Sequence, residues 1–179
     1  MKKILLYNVA AESGGAKTIM ELFYNEYRGK TDCECFMVTS VLDYSENNRL
    51  HIIKLPWVKK SWFHRLYCDL IYMPRLVKKL KIDEILSLQN IGIPRCKVKQ
   101  TVYVQNAIPF TDYRFSLFRD PFLWMYQNII GKLTYISLKK ANSIIVQSKW
   151  MKEEVAKRCK IPNNKVIVKR VRVNEPKDT

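Results

Sequence analysis

The chain has 179 residues, of which 47% are hydrophobic, and it carries a net charge of +16. The hydrophobic content excludes a disordered chain, and the length suffices for one domain with a substantial core. No segment holds the roughly 18 uncharged apolar residues that a membrane-spanning helix needs. The opening segment MKKILLY is too short for the apolar part of a signal peptide, and no small-residue cleavage site follows it. We therefore expect neither a membrane-spanning helix nor a signal peptide.

The positive charge lies in two blocks. Residues 1–50 carry six Lys and Arg against seven Asp and Glu, so they are near neutral. Residues 54–99 carry eleven basic and three acidic groups, and residues 132–172 carry twelve and two. Such blocks attract polyanions, so nucleic acid, an anionic membrane and phosphate-bearing ligands are the candidate partners.

Apolar periodicity and turn residues predict alternating strands and helices. In chain order they are a strand at 2–9, a helix at 17–28, strands at 33–41 and 50–57, a helix at 61–81, strands at 83–89 and 99–106, a helix at 120–141, a strand at 142–148, a helix at 149–160 and a strand at 164–173. Pro74 should kink or split its helix, and Asp120 and Ser148 are the predicted caps of the last two helices.

This order predicts an α/β fold, a single Rossmann-like domain whose mostly parallel sheet has helices on both faces. We assign residues 1–173 to that domain and residues 174–179 to a tail or the start of an interdomain linker. Ligands of such sheets bind at the carboxyl ends of the strands. The predicted binding loops are 8–16, 39–47, 89–95, 105–112 and 147–149.

The cysteines and histidines do not form a metal-binding pattern. The five cysteines are Cys33, Cys35, Cys68, Cys96 and Cys159. Their number is odd, no CxxC pair occurs, and the chain has only two histidines. We predict reduced cytosolic thiols, several of them buried as small hydrophobic side chains, and no metal site.

Two adjacent glycines, Gly14 and Gly15, lie between the first strand and the first helix. The segment ESGGAKT is neither GxGxxG nor a P-loop, and no acidic residue ends the second strand to hold a ribose. Lys17 follows the pair near the start of the helix. Two interpretations stay open: a turn whose amides face an anion, or a tight turn without a ligand.

Polar residues near two other strand ends are further candidates. Gln105 and Asn106 end the strand VYVQN, where their amides would hydrogen-bond a sugar or satisfy loop backbone groups. Glu12 precedes the glycines and would orient a hydroxyl, act as a base, or remain a solvated carboxylate. No Ser/His/Asp arrangement accompanies them, so no catalytic residue is assigned.

Two segments mix aromatic and basic residues, WVKKSWFHRLY at 57–67 and YRFSLFRDPFLWMYQ at 113–127. They fit a membrane interface, a single-stranded nucleic acid surface, or ordinary core helices with a charged outer face. The positions of the tryptophans favour membrane contact. The candidate membrane residues are Trp57, Lys59, Lys60, Trp62, Arg65 and Trp124.

Four segments together resemble the N-terminal half of GT-B-fold, family 4-type glycosyltransferases of bacterial surface polysaccharide synthesis. They are KKILLYNVAAESGGAKTIMELFYNEY, DEILSLQNIGIP, QTVYVQNAIPF and ANSIIVQSKWMKEEV. The resemblance covers almost the whole chain. It implies an acceptor-binding domain whose Gly14-Gly15 turn lies near the donor diphosphate, with Glu12, Lys17, Gln105 and Asn106 in the same cleft. Many members carry a His in the loop where this chain has Gln105-Asn106.

The resemblance also implies partners. In that family a C-terminal domain binds the nucleotide-sugar, and no donor-binding motif occurs in these 179 residues. We therefore expect a retaining enzyme that needs a donor-binding domain or subunit, binds no cofactor by this domain alone, and is inactive alone. Its acceptor would be a glycan or lipid-linked glycan, at the inner face of the cytoplasmic membrane. A basic nucleic-acid-binding domain and a non-catalytic scaffold subunit are the alternatives.

Overall fold

The fold is built on one sheet of seven parallel strands. The structure is a computed structural model, and it describes residues 1–169. The strands are β1 (Lys2–Asn8), β2 (Cys33–Thr39), β3 (Leu50–Lys54), β4 (Glu84–Ser87), β5 (Lys99–Tyr103), β6 (Ser143–Val146) and β7 (Val166–Val168). Their spatial order is β3-β2-β1-β4-β5-β6-β7, and every neighbouring pair is parallel. The predicted α/β, Rossmann-like fold is confirmed.

Helices connect most of the strands. They are α1 (Gly14–Arg28), α2 (Trp62–Tyr67), α3 (Met73–Leu80), α4 (Pro121–Met125), α5 (Gly131–Lys140) and α6 (Lys149–Cys159). A π-helical turn, Cys68–Tyr72, joins α2 to α3, and another, Tyr126–Ile130, joins α4 to α5. The expected break at Pro74 is confirmed, since Pro74 lies in the first turn of α3 and the preceding turn is not α-helical.

Buried apolar side chains cover both faces of the central strands, as a sheet enclosed by helices requires. Leu6 of β1 packs with α1 on one face, whereas Leu5 packs with the α2–α3 segment on the other. Strands β5 and β6 pack with α5 and α6 on the face that α2–α3 also covers, through residues such as Val102 and Ile144. The core therefore consists of three buried clusters, one on the α1 face of the sheet and two on the opposite face.

Several predicted boundaries were wrong by a few residues. Helix α1 begins at Gly14, because the glycine pair forms the first turn of the helix and does not merely precede it. Strand β3 ends at Lys54, since Pro56 cannot donate to a ladder and opens a 3-10 turn. Ser148 and Asp120 occupy the predicted cap positions of α6 and α4, but only the Ser148 hydroxyl makes a cap bond. The predicted strand end at 170–173 and the segment 174–179 lie outside the described residues.

The connection from β4 to β5 has no helix. Parallel neighbours are usually joined by a helical crossover, but residues 88–98 form a loop that runs across the α2–α5 face. Ile93 packs into the core beneath this loop. The layer of helices on that face therefore has a gap between α2–α3 and α5.

Candidate functional site

The amino end of α1 is open to solvent at the carboxyl edge of the sheet. Gly14 has φ +59, a left-handed conformation that favours glycine, so one of the two glycines is required by the turn itself. The hydroxyl of Ser13, at the cap position, accepts no bond from the helix, and no acidic residue lies in the first turn. A Cβ at Gly14 or Gly15 would have no neighbour within 4 Å. The first amides of α1 can thus approach a ligand.

Three buried polar side chains lie beside this helix end. Asn8, Thr39 and Ser40 are at most 1% exposed at the ends of β1 and β2, and Asn8 pairs in register with Thr39. Asn8 Oδ1 accepts the amide of Ala11 at 3.1 Å. Asn8 Nδ2, Thr39 Oγ1 and Ser40 Oγ have no hydrogen-bond partner among the described residues. Buried polar groups are rarely left unpaired, so this cluster indicates a place where a ligand or water completes the bonding.

Gln105 and Asn106 lie in the loop after β5, and both contribute to holding that loop. Asn90, in a left-handed conformation, accepts the amides of Gln105 at 2.6 Å and Asn106 at 2.9 Å. Gln105 Nε2 donates to the carbonyl of Leu88 at 2.7 Å, and Asn106 Oδ1 accepts the amide of Ile108 at 2.9 Å. Both side chains thus satisfy loop backbone groups, one of the two roles that the sequence left open.

The charged residues of the predicted site are paired and solvated. Glu12 forms an ion pair with Lys59, which also donates to the carbonyl of Ala10 at 3.4 Å. The Nζ atom of Lys17 lies 3.6 Å from Oε1 of Glu21, which is one helical turn further along α1. Lys59 is therefore brought to the glycine turn from a distant segment, a placement that sequence spacing did not indicate.

A buried polar network fixes the α2 segment to β1. Tyr7 is fully buried and its hydroxyl donates to Asp69, which also accepts from Arg65 Nε at 2.8 Å. Burial and then the Asp69 carboxylate raise the pKa of Tyr7 well above its usual value. Arg65, predicted as a membrane residue, is thus also a structural partner.

The other predicted membrane residues differ in exposure. Trp62 is 70% exposed, and Lys59 and Lys60 are also exposed. Trp57 is half-buried and packs edge-to-face on Tyr72 at 5.5 Å between ring centroids. Trp124 is half-buried in α4. Trp62 and Lys60 are therefore the members of this set that remain most available to a partner, since Lys59 is paired with Glu12.

Exposed apolar side chains concentrate on α2 and in the segment that contains α4 and α5. Fifteen large apolar side chains among residues 1–169 are exposed, and eleven of them belong to α2 or to residues 113–136. Along α4–α5 the apolar stripe faces outward, with Ile129, Leu133 and Ile136 each about half exposed, whereas Gln127 and Thr134 are buried. Large exposed apolar patches commonly mark interaction surfaces, whereas single exposed apolar side chains do not.

Within residues 1–169, no group of three or more His, Cys, Asp or Glu side chains is arranged to hold a metal ion. All five cysteines are free thiols, and four of them are buried, as the sequence predicted. Among the same residues, no helix combines the length and apolar character that crossing a bilayer requires.

No protein-family model matches the chain, and no curated protein matches it. Solved structures do match. A glycosyltransferase from Rickettsia africae ESF-5 covers 97% of this chain and 44% of its own, with a TM-score of 0.52 and 17% identity. The match to the lipopolysaccharide outer core galactosyltransferase WaaB covers 94% of this chain and 45% of WaaB, with a TM-score of 0.54 and 12% identity. The chain has the fold of one half of a GT-B structure.

A third similar structure is a UDP-GlcNAc 2-epimerase from Methanocaldococcus jannaschii. It covers 93% of this chain and 44% of its own, with a TM-score of 0.52 and 12% identity. The chain thus spans less than half the length of each of these proteins. At such identities the likeness describes the fold, and it leaves the reaction to be argued from the site.

Proposed function

We propose that this chain is the acceptor-binding half of a retaining glycosyltransferase. The enzyme would move a sugar from a nucleotide-sugar to a glycan or lipid-linked glycan of surface polysaccharide synthesis. The main support is the open amino end of α1, with unpartnered buried Asn8, Thr39 and Ser40 beside it, on a GT-B half-fold. Sequence resemblance to family 4-type transferases points the same way.

The chemistry explains why a second half is needed. Sugar transfer requires that donor and acceptor be held together and that the leaving diphosphate be stabilised. In the proposed enzyme, the first amides of α1 face that diphosphate, and Lys17 and Lys59 would leave their partners Glu21 and Glu12 to add positive potential there. Glu12, Gln105 and Asn106 would contact the acceptor. A donor-binding domain or subunit would hold the nucleotide-sugar.

Paired glycine variants of the complete enzyme test this role. Gly15 lies at the amino end of α1 and Gly29 directly after its carboxyl end, and a Cβ added at either position would have no neighbour within 4 Å. The assay measures nucleoside diphosphate release from each of a panel of nucleotide-sugars, with a membrane extract of the source organism as acceptor. We expect Gly15→Val to lower this release by roughly 100-fold. Gly29→Val should retain activity. Equal activities in two variants of equal melting temperature would contradict the proposal.

We further propose that α2 attaches this enzyme to the inner face of the cytoplasmic membrane. Exposed Trp62 beside Lys59 and Lys60 matches the pairing of aromatic and cationic groups at anionic lipid surfaces. In vesicle sedimentation, Trp62→Ser should weaken binding to phosphatidylglycerol vesicles, and the control Trp150→Ser, which replaces an exposed tryptophan of α6, should not. Tight salt-sensitive binding to nucleic acid without vesicle binding would favour the nucleic-acid alternative instead.

A further inference from the structure

The gap in the helical layer forms a groove of about 480 Å³. It lies between the α2 segment and α5, above β5, with the β4–β5 loop along one side. Its size falls in the range of roughly 300–1,000 Å³ that is usual for small-molecule sites. The groove exists because residues 88–98 cross the sheet without a helix.

The walls of the groove are apolar and accessible. Leu66 on α2 is 38% exposed, and Leu133 and Ile136 on α5 are each 53% exposed. These three side chains face a shared space and lack the burial that core residues of amphipathic helices normally reach. The groove therefore offers contacts to an apolar ligand.

The uncharged polar side chains lining the groove are already bonded to the protein. Ser137 Oγ accepts the amide of Gly92 at 2.7 Å. Gln100 accepts the amide of Ile93 and donates to its carbonyl, both at 2.8 Å. Asn142 Oδ1 accepts the amide of Gln100 at 2.9 Å. A bound peptide would find few partners for its backbone here, whereas a hydrocarbon chain needs none.

The rim of the groove is cationic. Arg95, Lys97 and Lys140 line it and are exposed, and none of them pairs with a carboxylate within residues 1–169. The acidic lining residue, Asp69, is bonded to Arg65 and Tyr7. An apolar interior with an unneutralised basic rim complements a hydrocarbon chain that carries an anionic head.

We propose that this groove binds the hydrocarbon chain of a phosphate-headed membrane lipid, with Arg95, Lys97 and Lys140 at the head. The exposed aromatic residues Trp62 and Phe63 lie one turn before Leu66 on α2, so the exposed apolar surface extends from the groove along this helix. This assignment goes beyond the proposed sugar transfer and requires no part of that reaction.

Calorimetric titration with dodecyl phosphate below its critical micelle concentration tests the site without a bilayer. The expected result is saturable binding of one molecule per chain, with no binding of inorganic phosphate. Dodecyltrimethylammonium, which has the same chain and the opposite charge, should bind roughly tenfold more weakly, as should dodecyl phosphate to the double variant R95Q/K97Q. Many amphiphiles per chain, or equal affinity for both head groups, would overturn the proposal.

A pair of matched variants tests where the hydrocarbon chain binds. Ile136→Asn should weaken dodecyl phosphate binding roughly tenfold, because the apolar wall is lost. Ile129→Asn is the control, since Ile129 is equally exposed on the preceding π-helical turn but does not line the groove. Melting temperatures verify that both variants fold. Equal weakening by the two variants, or no saturable binding to the wild-type protein, would show that the groove does not hold this ligand. A protein segment would then be the remaining candidate occupant.

Discussion

The glycine pair at the start of α1 should respond to alanine with opposite signs. Gly14 is left-handed, with φ +59, and an alanine there is strained by about 1–2 kcal/mol. Gly15 has no such backbone constraint and no neighbour within 4 Å of an added Cβ. Alanine at Gly15 should therefore stabilise the fold by about 0.4–1 kcal/mol, by restricting the unfolded chain.

Urea unfolding at 25 °C measures both effects. The two variants should differ by about 1.4–3 kcal/mol in the free energy of unfolding. Each kcal/mol corresponds to about 2–4 °C in melting temperature for a chain of this size. Gly14→Asn is the control, because asparagine tolerates the left-handed region better than alanine and should recover part of the loss. Stabilisation by Gly14→Ala, or destabilisation by Gly15→Ala, would refute the reasoning about this turn.

Three further substitutions probe the interior. Tyr7→Phe, which removes the bond to Asp69, should lower the free energy of unfolding by about 1.5–3 kcal/mol at neutral pH. Because the pKa of Tyr7 is raised, its stabilisation is lost as pH rises above about 10, so the variant should show a flatter alkaline limb in urea unfolding. Burial raises the pKa of Glu84, but hydrogen bonds and charges from two lysines outweigh this effect, so the pKa is lowered overall. Glu84→Gln should therefore lose less stability than the wild type as pH falls below about 5. An unchanged dependence of the unfolding free energy on pH in this range would argue against the reasoning. Gly92→Ala places a Cβ 2.7 Å from Gln100 Oε1 and should cost about 1–3 kcal/mol, and that cost should be smaller when Gly92→Ala is made in the Gln100→Ala variant, where the close contact is absent.

The sheet was predictable because its signal is local. Buried parallel strands appear as short apolar runs, and SIIV and VIV both proved to be strands. The glycine pair marked the first strand-to-helix turn for the same reason, since a left-handed residue there favours glycine. These features depend on few residues, and the sequence displays them directly.

The orientation of α4–α5 was not predictable from its periodicity. A helical apolar stripe normally faces the core, but here Gln127 and Thr134 occupy the buried face. They can do so because Gln127 donates to the carbonyl of Tyr113 at 2.6 Å, and Thr134 donates to that of Ile130 at 2.9 Å. Partners such as Tyr113 come from a separate loop, so the apolar pattern alone could not reveal them.

The candidate site was only partly visible for a similar reason. Asn8 and Thr39 are 31 residues apart in sequence, and only the β1–β2 register places them side by side. Lys59 reaches the glycine turn from the segment after β3. The roles of Gln105 and Asn106 depend on the left-handed Asn90, which lies in a different loop. The sequence pattern predicted which edge of the sheet holds the site, whereas tertiary contacts determine which side chains meet there.

A structure of the complete enzyme with its nucleotide-sugar is the most direct test of the proposed function. The account predicts that the donor diphosphate lies about 2.7–3.2 Å from the first amides of α1, at Gly14 and Gly15. It also predicts a second Rossmann-like unit opposite the carboxyl edge of this sheet. A diphosphate bound away from α1, with no contact to this edge, would contradict the account.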